Sequence, residues 1–331
     1  MHSGKDNPAG WHPLGVQAQV EDLCHQALRR RLYRSVSLIR QVEQKIVQVY
    51  ATDVMQTPVH LSIGQESIAA ALCAHLNDDD LRIGTHRGHG LYLAGGGDLV
   101  AFFAELLGRG IGCAGGYGGS MHLTDRAHGL VGTTSIVGGC LPILAGLAMS
   151  LRPPLLAAAL LGDGAADQGV FAESLNFAAL KKLPALFVVE NNRYSVYTPA
   201  SQRRAASVAA VARAFGIETH EAPIEVSCDV FALYALLDAP IRRVRAGAGP
   251  LLVECHTVRA LDHNGIRDDV AAGFRPPEEK ALFEAHCPLK AARAAVAPAL
   301  AAEVDAQVAG EIEAAYAAAL AAAPAVLEAA S

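Results

Sequence analysis

Two periods of apolar residues run through this chain. Residues 155–161 form an unbroken apolar run, LLAAALL, which ends on Gly162-Asp163-Gly164. A second run, ALFVV at residues 185–189, ends on Glu190-Asn191-Asn192. Between them Phe171, Leu175, Ala178 and Ala179 fall at helical spacing over residues 168–181. The pattern predicts strand, turn, helix, strand. A right-handed crossover makes the two strands parallel and brings both carboxyl ends to one edge of a sheet. The helix is expected to begin near Ala165.

The same reading extends along the chain. Leu23, Leu28, Leu32, Val36, Ile39, Val42 and Ile46 predict one or two long helices over residues 20–51, after a loose arm at residues 1–15. Further helices are expected at 66–75, 98–107, 141–151, 205–215, 230–245 and from 277 to 287, with Gln65 or Ser62 capping the first. Strands are expected at 81–85 and 250–256. The glycine-rich run GRGIGCAGGYGGS at 108–120 and the polar stretch 257–277 read as irregular loops. Residues 289–322 are alanine-rich and helical, with Glu303, Asp305, Glu311 and Glu313 as the main acids. The fold class is α/β, a mostly parallel sheet flanked by helices with helical N- and C-terminal extensions. The expected units are an arm with helices at 1–55, an α/β domain at 56–275 and a helical appendage at 276–331.

Composition narrows this picture. The chain has 331 residues, 52% of them hydrophobic, which suits one large core and hints at buried subunit interfaces. A net charge of −6 argues against nucleic acid. No apolar run is long enough for a membrane span and no signal peptide is visible. The seven cysteines lack CxxC spacing and read as reduced thiols, so a cytoplasmic location is expected.

The strand ends carry the candidate chemistry. Asp163 and Asn192 each follow a buried strand and can project into the crevice where such sheets bind ligands. One charged and one neutral oxygen suit a hard cation such as Mg²⁺, which is often completed by phosphate oxygens. Backbone N–H groups near Gly164 and Ala165 could receive phosphate. Gly162 and Gly164 permit close approach and unusual dihedrals. The short motif fits a tight turn and an ordinary loop equally well. In His86-Arg87-Gly88-His89-Gly90, Arg87 suits bidentate phosphate binding or a surface ion pair.

Gly162-Asp163-Gly164, followed at a distance by Asn191-Asn192, resembles the thiamin-diphosphate motif. His60-Leu61-Ser62-Ile63-Gly64-Gln65-Glu66, His86-Arg87-Gly88-His89-Gly90, Gly118-Gly119-Ser120-Met121-His122 and Ile136-Val137-Gly138 follow the order seen in E1 α subunits of 2-oxo acid dehydrogenase complexes. The similarity runs over residues 30–320.

This resemblance implies a thiamin-diphosphate-binding fold. It assigns Mg²⁺ to Asp163, Asn192 and the Tyr194 carbonyl. It assigns the cofactor to His86, Arg87, Ser135, Val137, Asp163, Gly164, Ala165, Asn192, Tyr194 and His263. His60 and His263 would position substrate or shuttle protons, and Arg87 with His263 would neutralise diphosphate. His122 belongs to a polar network near the entrance, as a catalytic or a structural group. The loop 257–277 would order over the cofactor, or it is a linker. Three departures stand out: His86 where tyrosine is usual, Thr133-Thr134-Ser135 where Gly-Asn-Gly is common, and Leu261 where a first histidine is frequent.

The pyrimidine half of the site and its activating glutamate would come from an E1 β subunit in an α₂β₂ heterotetramer. The substrate would be a small 2-oxo acid or acetoin, and the acyl acceptor a lipoyl domain of an E2 transacylase. A split-subunit thiamin-diphosphate carboligase or decarboxylase of a biosynthetic pathway, and a non-catalytic scaffold, are the alternatives.

Overall fold

The computed structural model describes residues 13–55 and 57–326, with side chains from residue 25 onward. The expected arm at 1–15 lies outside this range except for residues 13–15, which are helical. The strands are β1 Leu81–Thr85, β2 Leu130–Thr134, β3 Ala157–Gly162, β4 Ala185–Asn191, β5 Tyr194–Ser195, β6 Thr198–Pro199, β7 Glu218–Ala222 and β8 Leu251–His256. The helices in the first half are α1 Pro13–Tyr50, α2 Glu66–His75, α3 His89–Ala94, α4 Leu99–Leu106 and α5 Cys140–Ser150. They continue with α6 Gly169–Lys181, α7 Val208–Ala214, α8 Ile224–Ser227, α9 Val230–Arg245, α10 Glu278–Ala285, α11 Pro288–Ala294 and α12 Pro298–Ala321.

Six strands form one parallel sheet in the order β2-β1-β3-β4-β8-β7. Side chains alternate across a strand, and this alternation creates two cores. Ala158, Leu160, Leu186, Val188, Leu251 and Val253 face a core shared with α1, α2, α9 and α12. Ala157, Ala159, Leu161, Ala185, Phe187, Val189 and Leu252 face the other, under α5, α6 and α7. The alanine run of β3 leaves space beside bulkier neighbours; Ala159 pairs in register with Phe187. Strands covered on both faces read as continuous apolar runs, which is why β3, β4 and β8 were legible.

The edge strands were not. β2 reads LVGTT and β7 reads ETHEA. Each has one strand neighbour and several half-exposed residues, so neither carries a strong apolar signal. The helix expected from Ala165 also starts later. A single 3₁₀ turn occupies Ala165–Asp167, Gln168 is extended, and α6 begins at Gly169.

Gln65 stands at the N-cap of α2, but its side chain makes no bond to the helix. The Gln65 side chain instead accepts from Asn192 Nδ2 at 3.0 Å. The carboxylate of Glu66, in the first turn, accepts from Gly64 N at 3.0 Å and from Arg40 Nε at 2.5 Å.

The C-terminal acids pair with α1. Arg30 meets Glu303 at 2.8 Å, Arg34 meets Glu311 at 2.5 Å and Lys45 meets Glu313 at 2.6 Å. Asp305 accepts from Tyr33 Oη at 2.9 Å and Ser37 Oγ at 2.6 Å. These bonds lock the last helix to the first across the whole length of the chain.

Candidate active site

Three neighbouring strands end at one edge of the sheet. β1 leads into His86-Arg87, β3 into Asp163-Gly164-Ala165 and β4 into Asn192. Parallel pairing aligns Gly84 with Leu160 and Gly162 with Glu190, so the three ends lie side by side. The segment after β8 delivers His263 to the same place. Together with Gln65, Val137, Glu190 and Tyr194 they line one cleft.

The tight strand-to-turn transition at β3 depends on one glycine. A Cβ on Gly164 would sit 2.8 Å from Ser195 Oγ, so any other residue there would have to push Ser195 of the β5–β6 hairpin aside. A Cβ on Gly162 would meet nothing within 4 Å. Neither residue is left-handed, so the expected unusual dihedrals are absent and close approach explains Gly164 alone.

Asp163 is 1% exposed and burial raises its pKa, although two arginines oppose that shift. Its Oδ2 accepts from Arg203 Nη2 at 2.6 Å and from Arg204 Nη2 at 3.0 Å. Arg203 and Arg204 also pair with Asp167. Sequence reasoning missed both arginines, because residues 196–204 show no periodicity that would place them over β3. Asn192 is fixed by Gln65 and accepts from Tyr194 N at 3.1 Å through Oδ1. Asn191 points elsewhere, donating to Glu254 Oε1 at 2.6 Å. A carboxylate and an amide oxygen in one cleft are the donor chemistry a hard cation takes. Here the carboxylate is already matched by positive charge, so a cation binding at Asp163 has to displace guanidinium.

Arg87 is 7% exposed. Its Nη1 donates to the Leu61 carbonyl at 2.5 Å and Nη2 to the His263 carbonyl at 3.3 Å. Among the described residues no carboxylate lies within ion-pair distance of it. Burial, helped by Arg259, lowers its pKa to about 10. A buried guanidinium bonded only to neutral carbonyls is a strong anion-binding group. Glu190 faces the same cleft, and burial pushes its pKa up to about 7.

The three histidines converge. Ring centroids are 4.5 Å apart for His60 and His86, 5.1 Å for His60 and His263, and 5.3 Å for His86 and His263. Burial and then Arg87 lower their pKa values to about 2, 4 and 3 for His60, His86 and His263 respectively. All three are neutral near pH 7 in this state. His263 is therefore a polar neutral group in this state. His86 and His263 line the cleft, whereas His60 lies behind them.

Ser135 and His122 do not line the cleft, although Val137 does and is 46% exposed. His122 ends the short turn Gly119–Met121. The neighbouring polar network runs instead through a histidine given no role. His89 Nε2 meets Ser120 Oγ at 2.7 Å, and its Nδ1 meets Glu43 at 3.1 Å. Glu43 Oε1 also accepts from Ser62 N at 2.8 Å. Glu43 is fully buried in α1, and its only signal in the sequence is an acid amid apolar helical positions.

The loop 257–277 is packed rather than loose. Asp269 joins Arg259 at 2.8 Å and Arg275 at 2.6 Å, all three buried. Asp262 Oδ1 accepts from Tyr197 Oη at 2.8 Å and from His263 N at 2.6 Å. Gly265 N donates to the Val59 carbonyl at 2.8 Å. These bonds hold His263 beside His60.

The family described as dehydrogenase E1 component matches residues 34–328. The chain is 38% identical over 236 residues to the α subunit of acetoin:2,6-dichlorophenolindophenol oxidoreductase from Bacillus subtilis, covering 70% of each chain. It is 34% identical over 268 residues to the pyruvate dehydrogenase E1 component α subunit of Rhizobium meliloti, covering 80% of this chain and 76% of the relative. For the corresponding subunit of Zymomonas mobilis the identity is 37% over 262 residues, covering 78% and 73%.

Proposed function

This chain belongs to the dehydrogenase E1 component family, and from that premise we propose that its cleft holds Mg²⁺ and the diphosphate of thiamin diphosphate for a small 2-oxo acid or acetoin. It is an α subunit that works with a β subunit in a thiamin-diphosphate-dependent oxidoreductase acting on an oxo group. The observation that carries the site is the meeting of Asp163, Asn192 and Arg87 at the carboxyl edge of β1, β3 and β4.

Each residue then has a task that follows from its surroundings. Asp163, the Asn192 amide and the Tyr194 carbonyl hold Mg²⁺. Arg87, bonded only to neutral carbonyls, receives diphosphate oxygens. Gly164 and Ala165 let the backbone come close to them. Thiamin diphosphate would supply a nucleophilic carbon and an electron sink when bound. His60, buried, and His263, half-buried, hold or pass a proton at a substrate oxygen. Loop 257–277 keeps water from the reacting face.

The assembly we propose is an α₂β₂ heterotetramer, with a lipoyl domain as acyl acceptor. Its support is an apolar surface. Ile136 is 68% exposed, Ile143 on α5 47%, Met149 50%, and on α6 Leu180 is 72% exposed. Large apolar side chains crowded on adjoining elements mark subunit contacts. Among the described residues no helix is long and apolar enough to cross a membrane.

Asp163→Ala tests the site by calorimetry of thiamin diphosphate binding in Mg²⁺. The expected loss is at least about tenfold in affinity. Unchanged binding would show that the cation and diphosphate sit elsewhere.

A further inference from the structure

His60, His86 and His263 come from three separate parts of the chain: the segment before α2, the end of β1 and the loop after β8. One ring nitrogen of each lies within 4.8 Å of the others. His60 is 7% exposed, and its Nδ1 is buried without a hydrogen-bond partner. A buried imidazole nitrogen left unpaired carries a cost. It is also the form of histidine that binds metal, since the lone pair is free.

We propose that these three histidines form a site for a borderline divalent transition-metal ion of the Zn²⁺ class, separate from the oxygen site at Asp163. The chemistry separates the two. Imidazole nitrogens select Zn²⁺, Co²⁺, Ni²⁺ or Cu²⁺, whereas carboxylate and amide oxygens suit Mg²⁺. Three histidines with one open position are a recurrent zinc arrangement. Zinc–nitrogen bonds of about 2.0–2.1 Å in a tetrahedron place the nitrogens about 3.4 Å apart, so the rings must draw together slightly. His86 and His263 line the cleft, so the fourth position opens there, to water or to an oxygen of a bound molecule.

No proton has to leave for the ion to bind near neutral pH, because all three rings are already neutral. Arg87 opposes the ion, since its charge already disfavours positive charge on all three histidines. An ion held there occupies the imidazoles that the proposed reaction needs free, so it acts as an inhibitor.

Co²⁺ tests this, because four-coordinate Co²⁺ absorbs visible light far more strongly than six-coordinate Co²⁺. The full chain is titrated with Co²⁺ in saturating Mg²⁺, and Zn²⁺ is then added in competition. The expected result is a strong visible band that Zn²⁺ abolishes. His60→Gln, His86→Tyr and His263→Gln should each weaken binding at least tenfold. His128→Gln and Asp163→Ala should leave the band and its midpoint in place, and circular dichroism checks that each variant is folded. Absence of the strong band in the unaltered chain would overturn the proposal. So would a band that survives in folded His86→Tyr and His263→Gln. Loss of the band in Asp163→Ala alone would place the ion at the oxygen site, again against the proposal. Because this readout needs neither cofactor nor turnover, it can fail while the thiamin-diphosphate reading stands.

Discussion

Two long irregular loops, of which only the polar one reaches the cleft, through His263, are each organised around one buried carboxylate by a different kind of donor. In the glycine-rich loop the acid is Glu105, which sits outside the loop on α4. Its Oε2 accepts from Ala114 N at 2.7 Å and Gly116 N at 2.9 Å, and its Oε1 from Gly118 N at 2.6 Å and Gly119 N at 3.0 Å. In the polar loop the acid is Asp269, inside the loop, and its partners are the side chains of Arg259 and Arg275.

The difference lies in what each arrangement demands of the sequence. Backbone donors can be aimed at one point only if the chain folds tightly, so this loop needs glycine. Gly116 and Gly119 have φ of 82° and 60°, and a Cβ on Gly116 would strike the Arg109 backbone. Guanidinium donors leave the backbone free, but make the loop depend on two named arginines. A buried charge pair is costly to break from one side.

The strongest test of the contrast is Asp269→Asn. It leaves buried Arg259 without its ion-pair partner and Arg275 with only Glu279, 3.5 Å away, and the expected loss of stability is about 3–5 kcal/mol in denaturant unfolding. A loss under about 1 kcal/mol would mean that the loop is held by something other than this ion network. The pair should also loosen in acid. Burial raises the Asp269 pKa, but Arg275 and Arg259 outweigh it, so the net shift is downward. Its contribution is present above the unfolded carboxyl pKa and is lost as pH falls through the lower folded value.

Glu190 sharpens the comparison, because burial there outweighs its only opposing groups, the Arg87 charge and a Gln65 side-chain bond. Burial takes its pKa from 4.5 to about 7. A raised folded pKa gives stability that is full below the unfolded value and is lost as pH rises through the folded one. The unliganded chain should therefore lose on the order of 2–3 kcal/mol between about pH 4.5 and pH 7.5 from this residue. Glu190→Gln should flatten that slope in a series of thermal melts, and an unchanged slope would remove Glu190 as its source.

Glu105→Gln keeps one accepting oxygen and turns the other into a donor that faces backbone N–H. The expected loss is about 2 kcal/mol, with faster proteolysis confined to residues 108–119. Cleavage that stays at its unaltered rate would show that glycine geometry alone fixes this loop.

The smallest effect concerns the third arrangement, the exchangeable pair on Asp163. Replacing Arg203 and Arg204 together by alanine should tighten Mg²⁺-dependent diphosphate binding by about threefold to tenfold, roughly 1 kcal/mol, because no guanidinium has to leave. Weaker binding in calorimetry would show instead that these arginines hold diphosphate themselves.

The sequence by itself determined the α/β class, the parallel pairing of β3 and β4 and the strand-end positions of Asp163 and Asn192. Strands covered on both faces must be continuously apolar, and a crossover has one hand, so local pattern and topology coincide there. It also determined the long helices, whose apolar stripe is set by the helical period. The edge strands β2 and β7 were hidden because half-buried strands carry polar residues.

Only the tertiary structure decided what each polar group near the site touches. Gln65 stands at the N-cap of α2 but its side chain holds Asn192, and Arg203 and Arg204, which carried no signal in the sequence, cover Asp163. His60, His86 and His263 are scattered over more than two hundred residues, yet their rings touch. Periodicity reports only whether a residue faces the core. Which buried polar groups meet is settled by how distant loops close on one another, and no local pattern encodes that.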